Sequence, residues 1–258
     1  MKRETYKEFK ERVLHPQDDL FAILFINFIT VKLAYIITRF KIGITPNAVT
    51  YIRMFIISPL IILLLIIAPI LRIKIFYVAV LILSYFFILS DWLDGQIARG
   101  TNKTSKKGAI LDSIADRFST IIFLVVIFSI GVLYSSMLII SLSIILFALK
   151  CFHMMIITKL YYYKAGDSQK IFDGADAMGK IGISKIFSIL KNLSRKIGLK
   201  KWGGTLGGSD RFFITVMLPV ILILLNLHYQ LLILTLLYIV FLILFFLLRI
   251  KNLFKSIK

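Results

Sequence analysis

The chain has 258 residues, 59% of them hydrophobic, a mean hydropathy of +0.90 and a formal net charge of +19. Runs such as IISPLIILLLIIAPIL and LLILTLLYIVFLILFFLL are too long and apolar for the core of a soluble domain, and as helices they match the ~30 Å hydrocarbon layer. A basic excess in such a chain points to cytoplasmic loops and anionic head groups; no nucleic-acid module is visible. The single Cys151 excludes an internal disulfide, and no Cys/His cluster has zinc spacing.

In chain order, MKRETYKEFKERVLHPQDDL is charged and reads as a helical, solvated segment, not as a cleavable signal peptide. Residues 20–40 are apolar but carry Asn27, Lys32 and Arg39. They form either a first span or an amphipathic interfacial helix. Lys32 and Arg39, seven apart and so on one face, favour the interfacial reading. Thr45-Pro46 starts a helix, with Thr45 as N-cap, and the first span covers about 47–69 with a kink expected at Pro59. Arg72 and Lys74 mark a turn, and a second span covers about 75–95. A polar loop follows, the third span begins near 109, and residues 131–136 turn the chain.

A fourth span is expected at about 137–160, then a basic loop over 161–211 that includes a surface helix with Ile183, Ile186, Phe187 and Leu190 on one face. Fifth and sixth spans cover about 212–227 and 231–249, joined by NLHYQ. The expected fold is therefore all-α and polytopic. An N-terminal segment with its interfacial helix (1–44) precedes a six-span membrane domain (45–258). Lysine and arginine concentrate in the N-terminus, the 96–108 loop, the 161–211 loop and the tail, which places both termini in the cytoplasm.

The chemistry is expected at 91–116, DWLDGQIARGTNKTSKKGAILDSIAD. Asp91 and Asp94 are three apart and Asp112 and Asp116 four apart, so each pair shares a helix face. Carboxylates at a membrane edge are costly and need compensation. Two such faces side by side suit hard divalent cations, Mg²⁺ or Mn²⁺, and two ions can clamp a diphosphate. Gly95 and Gly108 allow close approach, and Arg99 offers a planar fork for phosphate oxygens.

The pattern D-x2-D-G-x2-A-R-x8-G-x3-D-x3-D, carried here by Asp91, Asp94, Gly95, Ala98, Arg99, Gly108, Asp112 and Asp116, resembles the signature of the CDP-alcohol phosphotransferase family. TPNAVT at 45–50 looks like the family's TPN-x-x-T segment, whereas the long basic 161–211 interval has no secure counterpart. The resemblance implies that Asp91, Asp94, Asp112 and Asp116 hold metal, with Asp116 also the general base on the acceptor hydroxyl. It implies that Gly95, Ala98, Arg99, Gly108, Asn47 and Thr50 bind the CDP moiety or its diphosphate. It further implies a CDP-linked lipid donor (CDP-diacylglycerol or an ether analogue), a small polar alcohol acceptor, release of CMP, a location in the cell membrane and a homodimer.

LDSIADRF lacks the proline and the serine-phenylalanine-glycine continuation associated with two branches of the family, and Arg117 looks more like the inositol-phosphate-type members. Lys150, His153 and Lys159 near the fourth span and Arg211 before the fifth are candidates for binding a phosphate on the acceptor, such as inositol phosphate or glycerol phosphate; for Lys159 and Arg211 a plain anchoring role competes. The alternatives are a water-soluble CDP-alcohol donor or, in another class, an ion-coupled transporter. The transporter requires acids near the bilayer midplane, whereas these lie at one edge.

Overall fold

A computed structural model describes residues 5–14, 21–148, 208–237 and 239–240. Among the described residues every regular element is helical. In chain order these are α1 (Tyr6–Val13), α2 (Ala22–Arg39), α3 (Pro46–Leu71), α4 (Lys74–Gly100), α5 (Lys106–Leu133), α6 (Met137–Ala148), α7 (208–224) and α8 (His228–Leu237). Four of them, α2 to α5, are long and apolar enough to cross a membrane. The described parts of α6 to α8 are shorter, and the amphipathic helix expected at 183–190, the rest of the basic loop up to 207 and the tail lie outside the described residues.

Helix α1 is closed by a capping box: the Thr5 hydroxyl accepts from the Glu8 N–H, and the Glu8 carboxylate accepts from the Thr5 N–H at 2.7 Å. The Thr5 N–H and, second to it, the Thr5 hydroxyl, which donates to the same carboxylate at 2.9 Å, hold the Glu8 carboxyl below the usual carboxylate range. Helix α2 qualifies as a span by length and composition, the alternative considered for 20–40.

Helix α3 starts at the expected N-cap, where the Thr45 hydroxyl accepts from the Ala48 N–H at 3.2 Å. At Pro59 the chain forms a widened π-turn over Arg53–Ile57 instead of a simple break. A second π-turn, Phe213–Met217, precedes Pro219 at the same offset. Proline has no N–H and its ring crowds the carbonyl four residues back, so a wider turn accommodates it within a continuous helix.

The two site-bearing helices run longer than the expected spans. Helix α4 has 27 residues, about 40 Å at 1.5 Å per residue, so about 10 Å of it exceeds the hydrocarbon layer. Its carboxylates therefore lie within a helix, not at its end. At the far end of α5 the expected turn at 131–136 is displaced: the helix continues through Gly131 to Leu133, and Ser135 adopts the left-handed φ of 52°. Gly131 stays helical because α6 packs on it; a Cβ there would lie 2.9 Å from Ile140 Cγ1 and 3.0 Å from the Ile140 backbone nitrogen.

The interior is apolar, and so is much of the exterior. Ile61, Leu65, Val80, Ile88, Ile122, Ile127 and Val220 fill the main core, while Phe25, Phe28, Phe55, Leu63, Ile70 and Ile82 are exposed on α2 to α4. Exposed apolar area on that scale marks a lipid-facing surface. A second cluster of Phe9, Val13, Val31, Ala34, Ile37, Val49 and Ile97 docks α1 against α2, α3 and the end of α4 that carries the aspartates.

Candidate active site

Three helices build the site. Helix α4 contributes Asp91 and Asp94 and ends at Gly100. A five-residue turn, with Asn102 at φ 55°, leads to Ser105, whose hydroxyl caps α5 by accepting from the Gly108 N–H at 3.0 Å. Helix α5 then presents Asp112 and Asp116 one turn apart. Helix α3 contributes Asn47, Thr50 and Arg53 at intervals of three, on one face.

Carboxylate oxygens of Asp91, Asp112 and Asp116 all lie within 4.8 Å of one another. Three hard anionic oxygens at that separation suit a hard divalent cation. Asp94 stands apart: it is buried, and its Oδ2 accepts a 2.7 Å hydrogen bond from the Thr50 hydroxyl. The structure therefore gathers three of the four aspartates and ties the fourth to a residue expected at the nucleotide.

Arg53 completes the cluster. Its side chain is fully buried; one terminal nitrogen pairs with Asp91, and the other donates to Asp112 Oδ1 at 2.6 Å and lies 3.6 Å from Asp116 Oδ1. Its Cζ lies 5.6 Å from the Phe87 ring centroid. The carboxylates are open on their other side, with side-chain exposures of 31% for Asp91, 46% for Asp112 and 62% for Asp116. Sequence reasoning missed Arg53. The signal was there: an arginine inside an apolar run, three residues after Thr50 on the face that also carries Asn47.

The expected CDP residues are distributed as follows. Gly108 faces Asn47, and a Cβ on it would lie 3.3 Å from Asn47 Oδ1. Gly95 makes room for Arg99, one turn on, because a Cβ there would lie 3.3 Å from a terminal guanidinium nitrogen. Arg99 Nε donates to the Val13 carbonyl at 2.7 Å. In return Arg12 donates to the Arg99 carbonyl at 2.8 Å and to the Gly100 carbonyl at 3.2 Å, and Phe9 packs on Gly100. Helix α1 thus clasps the end of α4, a contact the sequence did not disclose. Ala98 is half-buried beside Arg99.

Among the acceptor candidates, Arg211 lies in the first turn of α7, close enough to act electrostatically on Asp116. The preceding Asp210 is buried and accepts from the Phe21 N–H at 2.7 Å, while Phe212 stacks on Phe87 at 4.6 Å. These contacts fix the start of α7 over α4. Arg117 is exposed. Lys150, His153 and Lys159 lie outside the described residues.

Apolar helices here carry a carboxylate cluster that could hold a cation, beside a turn flanked by Gly100 and Gly108 and a buried arginine. The family model for CDP-alcohol phosphatidyltransferases matches residues 43–244, and the chain belongs to that family. No curated protein and no solved structure matches it. The protein is accordingly a transferase of substituted phosphate groups in phospholipid biosynthesis, acting on a CDP-linked donor and an alcohol acceptor in the membrane; the family uses divalent metal.

Proposed function

We propose that the protein transfers a phosphatidyl group from CDP-diacylglycerol or an ether analogue to a small polar alcohol, releasing CMP, with Asp116 as general base. The observation that carries this reading is the triad of Asp91, Asp112 and Asp116, mutually within 4.8 Å and open on one side. Asp116 is the most exposed of the three, so an acceptor hydroxyl can reach it. That hydroxyl oxygen forms a bond to the phosphorus bearing the lipid, the phosphorus–oxygen bond to CMP breaks, and the hydroxyl proton passes to Asp116.

Asp91, Asp112 and Asp116 would hold Mg²⁺ or Mn²⁺, and Asp94 would contribute to a second ion; bound metal would supply positive charge for the diphosphate and for the charge developing on departing CMP. Asn47, Gly108, Gly95, Ala98 and Arg99 line the nucleotide and diphosphate sites, and Thr50 orients Asp94. Arg99 is steadied by its bond to the Val13 carbonyl, which supports a fixed phosphate fork. Arg211 beside Asp116 supports an acceptor that carries its own phosphate, such as inositol phosphate or glycerol phosphate, with Lys150 and Lys159 as further contacts. In this reading six spans place the site and both termini in the cytoplasm, 20–40 lies at the interface, and the protein is a homodimer.

The test is CMP release by purified protein with Mg²⁺ or Mn²⁺ over a panel of donors and acceptors. CMP release with a CDP-lipid and a phosphorylated polyol is expected. Turnover of only a water-soluble CDP-alcohol would overturn the donor assignment. Release with unphosphorylated alcohols alone would remove the role of Arg211, Lys150 and Lys159.

A further inference from the structure

Arg53 is the one fully buried charged side chain among the described residues, and it reaches three of the four aspartates. A buried guanidinium is tolerated only when its charge is matched, and a cluster of three carboxylates is tolerated only when a cation is near. Each explains the other. Three carboxylates and one guanidinium leave a net charge of −2 on the cluster, the charge that one divalent ion cancels.

The arrangement also has two sides. Arg53 occupies the inner side, fully covered and beside the Phe87 ring. Phe87 in turn stacks on Phe212 at 4.6 Å. The carboxylates open on the opposite side, where Asp112 and Asp116 are 46% and 62% exposed. The π-turn at Arg53–Ile57 widens the helix at the residue that must reach across to α4 and α5, and Ser58 steadies it by donating from its hydroxyl to the Arg53 carbonyl at 2.7 Å.

We infer that Arg53 is a resident counter-cation and positioning residue: it holds Asp91, Asp112 and Asp116 together from the inside and stays in place when a divalent ion binds from the outside. The inference rests on the reading of the triad as a metal site. Arg53 is then not a ligand of donor phosphate, and it acts through the carboxylates. Removing its charge leaves the cluster at −3, which weakens the metal-free fold and strengthens attraction for a divalent cation.

The experiment uses the full chain in lipid nanodiscs, with Mn²⁺ binding followed by electron paramagnetic resonance and melting measured with chelator and with Mn²⁺. Arg53→Gln is expected to bind Mn²⁺ about tenfold more tightly than wild type. Its melting temperature in chelator should fall by several degrees, and Mn²⁺ should raise it further than it raises that of wild type. Unchanged or weaker Mn²⁺ binding by folded Arg53→Gln, or unchanged melting in chelator, overturns the inference. Absence of Mn²⁺ binding by wild type overturns the metal reading itself, and this inference with it. If Arg53→Gln does not fold, Arg53→Gln/Asp91→Asn returns the cluster to −2 and is expected to recover most of the metal-free stability. Failure of that double variant to recover it also overturns the inference.

Discussion

The two ends of the α4–α5 pair are built on opposite principles. At one end, Arg53 from α3 pairs with Asp91 of α4 and with Asp112 and Asp116 of α5, and Thr50 holds Asp94, so charge compensation ties the helices together. At the other, Gly131 lets α6 approach to van der Waals contact, Tyr77 and Ser129 face each other at 3.5 Å, and Tyr134 bonds His228 Nδ1 at 2.6 Å. The closely packed end is held by direct contact and tolerates no added atom at Gly131. The charged end keeps open space and exposed carboxylate edges, at the cost of needing an internal cation. One helix pair thus supplies rigidity at one end and a reactive site at the other.

Substitutions at the two ends should separate activity from stability. The largest effect is expected for Asp116→Asn, which should lower kcat by about 10²–10⁴-fold while leaving the melting temperature nearly unchanged, because this carboxylate is the most exposed and the farthest from Arg53. CMP release and thermal melting on the same preparation check both halves. Next, Thr50→Val removes the 2.7 Å hydrogen bond that the Thr50 hydroxyl donates to buried Asp94; about 1.5–3 kcal/mol of stability should be lost, together with weaker Mn²⁺-dependent donor binding. Retained donor affinity would separate Asp94 from the diphosphate site.

At the packed end, Gly131→Ala should cost about 1–3 kcal/mol because the new methyl meets the Ile140 backbone as well as its side chain. Its KM for donor should not change, a point that steady-state kinetics checks directly. Arg12→Ala should raise the donor KM severalfold with little change in kcat, since it loosens the clasp that steadies Arg99 without touching the aspartates. Tyr134→Phe is expected to be the mildest, about 0.5–1.5 kcal/mol in melting and silent in the CMP assay.

Much of this was legible from residue order. Apolar runs longer than any soluble helix needs give α3, α4 and α5 to within a few residues, and Thr45-Pro46 marks the start of α3 because capping chemistry is local. The spacing of the aspartates places each pair on one helix face, and the eight-position pattern leads to the family. Two local readings shifted. Gly131 looked like a turn and is a packing site, and Pro59 looked like a kink and follows a π-turn. The first depends on what lies beside the helix, which residue order does not encode directly; the second is proline's local chemistry resolved by a wider turn instead of a break.

What only the tertiary structure decided is the pairing within the site. Arg53 meets Asp112 across 59 residues, Thr50 meets Asp94 across 44, and Arg12 meets the Arg99 carbonyl across 87. Local spacing sets the face on which a side chain emerges; which faces meet depends on the rotation and offset of packed helices, and here also on a π-turn that re-aims α3. The sequence by itself determined a helical membrane enzyme with two carboxylate pairs on two helices. The packing of α3 against them divided the four aspartates into a triad around Arg53 and a single carboxylate held by Thr50.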